Sequence, residues 1–384
     1  MIRLVQVLAL LSLALGCVPT PKCAASDVAC NPVALSLFVD CFQGLIHNTW
    51  RTVGPASYGC YAQEMNRTKA LGSTGTPTLQ TFSSNTSAYY GVVLAPNGKI
   101  YGMPSTTSSV VEIDPTNNTI RTFGPSLSGY HGGVLAGNGK IYGIPNTATT
   151  FLVIDPDAGT ATTFGSTTSG WDGGVMAPNG KIYGCPAAAS SVLVIDPATN
   201  STSTFGSATG YAGAVLAPNG KIYCMSFTAT NFLIIDPETN TTSTFGTTAG
   251  GVAFAAGVLA ANGRIYAMPY NGPNYLFIDT VTNTTQTFGA AVAAAQCSSG
   301  VLAANGKIYC VPDTSLGGFQ VIDTDTNTVS LAAASGQYFK GAVLAPNGLI
   351  YAIANVSGPF AILDPKSAGI LDTNVLLSTY LNHL

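Results

Sequence analysis

The chain has 384 residues, of which 46% are hydrophobic and only 8% are charged, against about 25% charged residues in an ordinary soluble domain. Its 14 Lys and Arg residues and 17 Asp and Glu residues give a net charge of -3. The sequence therefore has neither the basic patch of a nucleic-acid-binding protein nor the acidic tract of a cation store, and we expect no nucleic-acid partner.

The N-terminus has the pattern of an export signal. Arg3 precedes an apolar run at residues 4–15, which is too short to cross a bilayer and is typical of a signal peptide. Residues 14–17 read Ala-Leu-Gly-Cys, which suits either an ordinary signal peptidase or a bacterial lipobox that lipidates Cys17. We interpret residues 1–16 as a signal peptide. We expect the mature protein to be lipid-anchored at the bacterial outer membrane or cell surface; the alternative is a periplasmic or secreted protein.

Residues 17–75 form a leader segment that lacks the repeat found further on. Four cysteines lie in it, namely Cys23, Cys30, Cys41 and Cys60. In an exported chain they predict two disulfides, with three possible pairings. A metal site is the weaker interpretation because the leader has no Cys-x-x-Cys and only His47 lies nearby, so we expect no metal.

A stretch of about forty residues then occurs seven times, marked by Ala-Pro-Asn-Gly-Lys-Ile-Tyr or a close variant. Its tyrosines are Tyr101, Tyr142, Tyr183, Tyr223, Tyr266, Tyr309 and Tyr351. A second phrase, hydrophobic-Ile-Asp-Pro or a near variant, contributes Asp114, Asp155, Asp196, Asp236, Asp279, Asp323 and Asp364. This period, with only strand-like segments inside it, predicts an all-β, seven-bladed β-propeller of four-stranded antiparallel blades over residues 76–365.

The second repeat shows the four predicted strands of a blade. Residues 132–136 form a strand of small and branched residues, and Asn138-Gly139 predicts a two-residue type I′ hairpin. Residues 140–145, 151–155 and 160–164 are the other three strands. We place the first strand innermost because its small residues let neighbouring blades approach the axis.

The ends of the repeat predict how the ring closes. Phe82 lies twelve residues before Leu94, the spacing at which other blades place the aromatic of a fourth strand. A strand at about residues 77–83 should therefore complete the seventh blade and cover its open edge. Residues 366–384 remain as a tail, whose residues 375–377 could form a short helix or an added strand.

The hairpin phrase and the Val-Leu-Val-Ile-Asp-Pro turn resemble the YVTN-type propeller repeat over residues 76–365. This chain departs from that family after the tyrosine, where it has Tyr-Gly-Ile-Pro and similar sequences. The plan as a whole resembles bacterial surface lipoproteins of unknown function. The resemblance implies a seven-bladed ring but no particular activity, since relatives of the fold include lactonases, lyases, quinoprotein dehydrogenases and binding scaffolds.

Positions shared by every blade are interpreted as structural. The repeat aspartates should open turns rather than form a carboxylate ring. The cations after the hairpin glycine should form a solvated basic rim rather than a phosphate site; they are Lys99, Lys140, Lys181, Lys221, Arg264 and Lys307. The cysteines within the repeats, Cys185, Cys224, Cys297 and Cys310, are predicted to be small core residues.

Positions that differ between blades are the candidates for function. One such column precedes the innermost strand and contains Tyr90, His131, Asp172, Ala212, Ala255, Ser298 and Lys340. The residues just before these are nearly all aromatic: Tyr89, Tyr130, Trp171, Tyr211, Phe254, Cys297 and Phe339. Because strand residues alternate, the aromatic column should pack between blades and the variable column should face the channel mouth. The candidate ligand site is Tyr90, His131, Asp172, Ser298 and Lys340.

We expect a binding scaffold rather than an enzyme, contacting a protein or glycan at one propeller face, as a monomer and without a cofactor. The longer loops at residues 247–256 and 290–299 are candidate contacts. The alternative is a small-molecule hydrolase or lyase in which His131 and Asp172 act as an acid–base couple. No catalytic residue is assigned.

Overall fold

The computed structural model describes residues 55–85, 88–107, 109–248, 252–272, 274–290, 296–313, 318–354 and 358–371. Within them lie one helix and twenty-eight strands, which form seven four-stranded antiparallel sheets. The predicted all-β, seven-bladed propeller is confirmed.

The bounds of the elements follow the repeat. The N-terminal elements are α1 (Pro55–Leu71) and β1 (Thr78–Asn85). Blade one contains β2 (Tyr89–Leu94), β3 (Ile100–Pro104), β4 (Val110–Asp114) and β5 (Thr119–Phe123). Blade two contains β6 (Tyr130–Leu135), β7 (Ile141–Pro145), β8 (Phe151–Asp155) and β9 (Thr160–Phe164). Blade three contains β10 (Trp171–Met176), β11 (Ile182–Pro186), β12 (Val192–Asp196) and β13 (Ser201–Phe205). Blades four and five are β14 (Tyr211–Leu216), β15 (Ile222–Ser226), β16 (Phe232–Asp236), β17 (Thr241–Phe245); and β18 (Phe254–Leu259), β19 (Arg264–Pro269), β20 (Asn274–Asp279), β21 (Thr284–Ala290). Blade six is β22 (Cys297–Leu302), β23 (Lys307–Pro312), β24 (Phe319–Asp323), β25 (Thr328–Ala333), and blade seven is β26 (Phe339–Leu344), β27 (Ile350–Ala354), β28 (Gly358–Asp364) with β1.

The first strands of neighbouring blades crowd together at the centre of the ring. A Cβ added to Gly91 would lie 2.7 Å from the Cα of Gly132, and one added to Gly173 would lie 2.9 Å from the Cα of Gly213. Only glycine permits this approach, and these glycines also have positive φ angles. The innermost position predicted for these strands is therefore confirmed.

The ring closes through β1, which pairs with β28 from Thr78↔Asp364 to Asn85↔Gly358. Phe82 packs edge-on against Tyr351, with ring centroids 5.9 Å apart. The predicted N-terminal closing strand is confirmed, and it covers the edge of blade seven.

The hairpin between the first two strands differs from the prediction. A type I′ turn needs positive φ at both Asn138 and Gly139, but only Gly139 has it, at 82°. The Gly139 amide donates to the Ala136 carbonyl and the Ala136 amide donates to the Lys140 carbonyl. The loop is thus a type I turn followed by a glycine in the left-handed region, and the type I′ prediction is wrong.

That hairpin also joins adjacent blades. The Asn138 amide donates to the Tyr142 hydroxyl at 3.0 Å and to the Pro197 carbonyl of the next blade at 3.1 Å. The same pair of bonds recurs with Asn97, Asn179, Asn219, Asn262, Asn305 and Asn347. We call these seven sets of contacts the inter-blade links.

The repeat aspartates open turns, as expected: the Asp196 carboxylate accepts the Ala198 amide at 3.0 Å. The cations of the basic rim remain exposed, and several of them also form ion pairs. Lys140 pairs with Asp155 at 3.0 Å, and Lys221 and Lys307 pair with the aspartates of their own blades. Several rim cations are thus neutralised locally.

The cysteines within the repeats form two disulfides, which corrects their prediction as separate core residues. Cys185 of blade three bonds Cys224 of blade four, and Cys297 bonds Cys310 within blade six. In blades one and two the glycine after the tyrosine faces the aromatic of the first strand; a Cβ on Gly143 would lie 3.2 Å from the Tyr130 ring. In blade six Cys297 stands in place of that aromatic, and it forms a disulfide with Cys310, which stands in place of the glycine.

The helix α1 packs on the hairpin end of blades five and six. The Tyr61 hydroxyl donates to the Leu259 carbonyl, Tyr61 and Met65 are buried, and Lys69 pairs with Asp325. No helix of the described residues is long and apolar enough to cross a membrane.

Several predictions fall outside the residues that the structure describes. The signal peptide, Cys17, Cys23, Cys30 and Cys41, and residues 375–377 of the tail all lie there, as does the side chain of Cys60.

Candidate functional site

The variable column lies where each first strand begins, at the end of the ring opposite the hairpins. In all seven blades the strand pairing shifts register at this position, as between Tyr130 and Gly133. Such β-bulges re-aim side chains. We call the side chains gathered here the channel-mouth cluster: Tyr90, His131, Asp172, Lys340, Ser105, Tyr270 and Asp313.

His131 is held on three sides. Its ring stacks on Tyr90, with centroids 4.0 Å apart and planes 3° from parallel. Nδ1 of His131 lies 3.1 Å from Oδ2 of Asp172, and Nε2 lies 3.4 Å from Oγ of Ser105. The predicted His131–Asp172 pair is thus formed across blades two and three, with Ser105 of blade one on the other ring nitrogen.

Lys340 and Asp313 form an ion pair, with Nζ and Oδ2 2.6 Å apart. The Lys340 ammonium also lies over two rings, 5.2 Å from the centroid of Tyr90 and 5.4 Å from that of Tyr270. Burial raises the pKa of the Asp313 carboxyl, although Lys340 opposes that rise. Lys340 therefore connects the polar residues of blades one, five and six.

Burial also raises the pKa of Tyr90 well above its usual value, and the nearby carboxylates of Asp172 and Asp313 raise it further. The Tyr90 hydroxyl is therefore uncharged at neutral pH. It remains a hydrogen-bond donor within the cluster.

Ser298 takes a different place from its neighbours in the column. It is buried, and its hydroxyl donates to the Phe339 carbonyl at 2.6 Å, with the Val311 carbonyl at 3.3 Å. It contacts the backbone of blades six and seven. The two alanines of the column, Ala212 and Ala255, are buried as well.

The aromatic column packs between blades, as expected. The ring centroid of Phe254 lies 5.8 Å from that of Phe232 in the preceding blade, and the centroids of Phe339 and Phe319 lie 5.6 Å apart. These residues fix the spacing on which the channel-mouth cluster rests.

Ser105, Tyr270 and Asp313 were not predicted from the sequence. They belong to a second variable column, directly after the second strand of a blade; in blades one to six it contains Ser105, Asn146, Ala187, Phe227, Tyr270 and Asp313. Comparing the seven repeats at this position would have marked the column. Phe227 and Tyr270 lie side by side in it, with centroids 5.3 Å apart.

Oδ1 of Asp172 is buried and has no hydrogen-bond partner among the described residues. An unsatisfied buried acceptor destabilises a fold by about 1–3 kcal/mol, more when it is charged. Within the same residues no group of three or more His, Cys, Asp or Glu side chains could hold a metal ion.

No protein-family model and no curated protein sequence matches the chain. Among solved structures, a streptogramin B lyase has a TM-score of 0.66 at 15% identity, covering 75% of this chain and 97% of that one. A catalytically inactive virginiamycin B lyase variant from Staphylococcus aureus, with quinupristin, has a TM-score of 0.65 at 12% identity, covering 75% and 99%. The extracellular domain of a B. thetaiotaomicron protein described as a hybrid two-component system has a TM-score of 0.59 at 10% identity, covering 77% and 43%. At these identities the likeness shows the fold alone.

Proposed function

We propose that this chain is an exported binding propeller, anchored by a lipid on Cys17, that binds a glycan at its channel mouth. One observation carries the proposal. The chain has few charged residues, yet four ionisable side chains meet at the mouth with low exposure: His131 at 21%, Asp172 at 15%, Lys340 at 13% and Asp313 at 5%. Burying ionisable groups is unfavourable for folding, and clusters of such groups in a cleft are typical of functional sites.

A glycan suits the mixture of groups at the mouth. Tyr270 and Phe227 are part-exposed rings, and the Lys340 ammonium lies 5.4 Å from the centroid of Tyr270. Ser105, His131 and Asp172 add part-buried hydrogen-bonding groups to the same mouth. Sugars present hydroxyl groups along with apolar ring faces. A protein ligand is the other outcome that binding experiments would reveal.

Export is supported by the two disulfides, since disulfides persist in oxidising compartments. The fold likeness to an extracellular domain agrees with this. Lipid anchoring rests on the sequence around Cys17. A Cys17→Ala chain that stays in the membrane fraction would contradict the anchor.

A second function is favoured by the His131–Asp172 hydrogen bond. A paired imidazole and carboxylate can act as a general base, as a small-molecule hydrolase or lyase requires. The neighbours of known activity, the streptogramin B and virginiamycin B lyases, have the same fold. The binding function does not depend on this one.

The test of binding is a glycan array probed with the wild-type protein and two variants. We expect the His131→Ala, Asp172→Ala double variant to lose the bound signal because it removes part of the mouth. Lys181→Ala, at the hairpin end of the ring, should keep it. Binding that survives in the double variant would move the contact surface away from the mouth, and an array without any signal would contradict a glycan ligand.

A further inference from the structure

Three side chains at the mouth form a continuous chain of contacts across three successive blades. Oγ of Ser105 lies 3.4 Å from Nε2 of His131, and the opposite ring nitrogen, Nδ1, lies 3.1 Å from Oδ2 of Asp172. This is the order of a nucleophile, a base and the carboxylate that orients the base. The first contact is longer than an ordinary hydrogen bond, as catalytic contacts often are before a substrate binds.

The imidazole is held in the orientation that this chain of contacts needs. Stacking on Tyr90 fixes the plane of the His131 ring. With Asp172 accepting the Nδ1 proton, Nε2 is left as the basic nitrogen facing Ser105. The buried Oδ1 of Asp172, unpaired within the described residues, keeps the carboxylate poorly solvated next to the ring.

The backbone fixes Ser105 as well. Its amide donates to the Ala88 carbonyl at 3.3 Å, and its carbonyl accepts the Gly129 amide at 2.6 Å. Ser105 directly follows β3, so it stands on the rigid ring rather than on a long loop. A serine placed in this way can keep its distance from His131 without rearrangement.

We infer that Ser105, His131 and Asp172 form a catalytic triad that hydrolyses small carboxylic esters at the channel mouth. This rests on the second of the proposed functions and adds to it a nucleophile, a covalent intermediate and a substrate class. It is independent of whether a glycan binds.

The reaction balances with water as the only co-substrate. Oγ of Ser105 forms a bond to the ester carbonyl carbon while its proton passes to Nε2 of His131. The tetrahedral intermediate collapses, the carbon–oxygen bond to the alcohol breaks, and the imidazolium returns its proton to that alcohol. Water then attacks the acyl-serine with His131 as base, releasing the acid and restoring Ser105.

One candidate donor for the carbonyl oxygen stands beside the triad. The Tyr90 ring stacks on His131, and its hydroxyl stays protonated. That hydroxyl can stabilise negative charge that develops on the oxygen. The part-exposed ring of Tyr270 supplies an apolar group at the mouth, which favours an ester with an uncharged, apolar acyl group.

The test uses the full chain with p-nitrophenyl acetate and p-nitrophenyl butyrate as substrates. We expect turnover above the rate in buffer, and a loss of at least about 100-fold in both Ser105→Ala and His131→Ala, the scale of a positioned general base. Asp172→Asn should also lose turnover because it no longer holds the His131 tautomer. Ser190→Ala, an exposed serine in the same loop of blade three, is the matched control and should match the wild type.

A covalent probe gives a readout that does not depend on turnover. A fluorophosphonate should phosphonylate Oγ of Ser105 with loss of fluoride, adding one label to the peptide between Lys99 and Arg121. The label should be absent in Ser105→Ala and present in Ser190→Ala. Circular dichroism of each variant excludes loss of folding as the cause.

Hydrolysis that persists in Ser105→Ala, or a label on another residue, would overturn the triad. So would a folded wild-type protein that neither turns over the esters nor takes the label. Turnover that is lost in His131→Ala but kept in Ser105→Ala would show that His131 and Asp172 act as an acid–base couple and that Ser105 is not the nucleophile. Glycan binding measured on the same Ser105→Ala protein separates failure of the triad from failure of the binding function.

Discussion

At the scale of single residues, the inter-blade links carry the repeat into three dimensions. Asn138 makes three hydrogen bonds: it accepts the Lys140 amide and donates to the Tyr142 hydroxyl and the Pro197 carbonyl. Tyr142 in turn donates to Oδ1 of Asn200 at 2.9 Å. One side chain thus shapes its own hairpin and attaches it to the next blade.

Graded substitutions at Asn138 should separate these two roles. Asn138→Asp keeps the acceptor for Lys140 but loses both donated bonds, so we expect a loss of about 1–3 kcal/mol in the free energy of unfolding. Asn138→Ala should lose more because the hairpin bond goes too, and Tyr142→Phe should lose about 1 kcal/mol. Urea denaturation measures all three, and an Asn138→Asp protein as stable as the wild type would show that the links do not stabilise the ring.

The link between blades one and two shows what the repeat could not predict. Gly159 stands where Asn200 stands in the next blade, so it offers Tyr101 no amide oxygen, and the Tyr101 hydroxyl bonds Glu112 instead. Burial would raise the pKa of Glu112, but hydrogen bonds from Arg121 and Lys99 outweigh it and lower the pKa. A change at one repeat position is compensated on a different strand, which no alignment of the repeats reveals.

At the scale of elements, the sequence predicted strands well and contacts between blades poorly. The predicted strands 151–155 and 160–164 coincide with β8 and β9, since alternation and turn residues are local signals. Asp313 and Tyr270 were missed because they stand directly after a strand, where the residue changes from blade to blade and the alternation within the strand does not mark it. They reach Lys340 only through the geometry of the ring.

The helix α1 was missed for a related reason. Blades five and six, on which it packs, have Ala261 and Ala304 where most hairpins have proline, and Gly306 leaves room for Lys69. The complementary surface is thus divided between segments far apart in sequence. A helix that depends on such a surface leaves a weak local signal.

The closing strand gives a prediction that separates packing from topology. Phe82 of β1 and Phe164 of β9 are both part-buried, and each packs edge-on against the tyrosine of its own blade. Replacing either by Ala should remove about 2 kcal/mol of stability, roughly half the loss for a fully buried Phe. Only Phe82→Ala should also promote aggregation, because β1 can detach and expose the edge of β28.

Static light scattering during mild heating measures that difference, with Phe164→Ala as the matched control. The short turn after Asp155 keeps β9 next to β8, so the edge of β8 stays covered in the Phe164→Ala variant. Equal aggregation of the two variants would show that β1 does not protect the ring edge.

At the scale of the whole molecule, the ring is secured at two places on opposite sides. The hydrogen-bonded seam lies in blade seven, between β1 and β28. Counting around seven blades, the interface opposite that seam is the one between blades three and four, where Cys185 bonds Cys224. If the seam in blade seven opened, the two halves of the ring could separate only by hinging at the interface between blades three and four. The Cys185–Cys224 disulfide joins the blades covalently at that interface.

Deleting the two disulfides separately tests this arrangement. The Cys185–Cys224 bond spans 39 residues and the Cys297–Cys310 bond spans 13. Loop-closure entropy then gives losses of about 4 and about 3 kcal/mol for the respective double alanine variants. Both pairs are buried, so the cavities left by the two double substitutions are comparable.

We expect the Cys185→Ala, Cys224→Ala protein to unfold at the lower temperature, measured by differential scanning calorimetry. If the inter-blade bond secures the ring, this variant should also be more sensitive to Phe82→Ala than the Cys297→Ala, Cys310→Ala protein is. The two effects would then be coupled although the residues lie on opposite sides, because either connection alone can hold the circle together. Strictly additive losses would instead mean that each blade interface resists opening independently of the others.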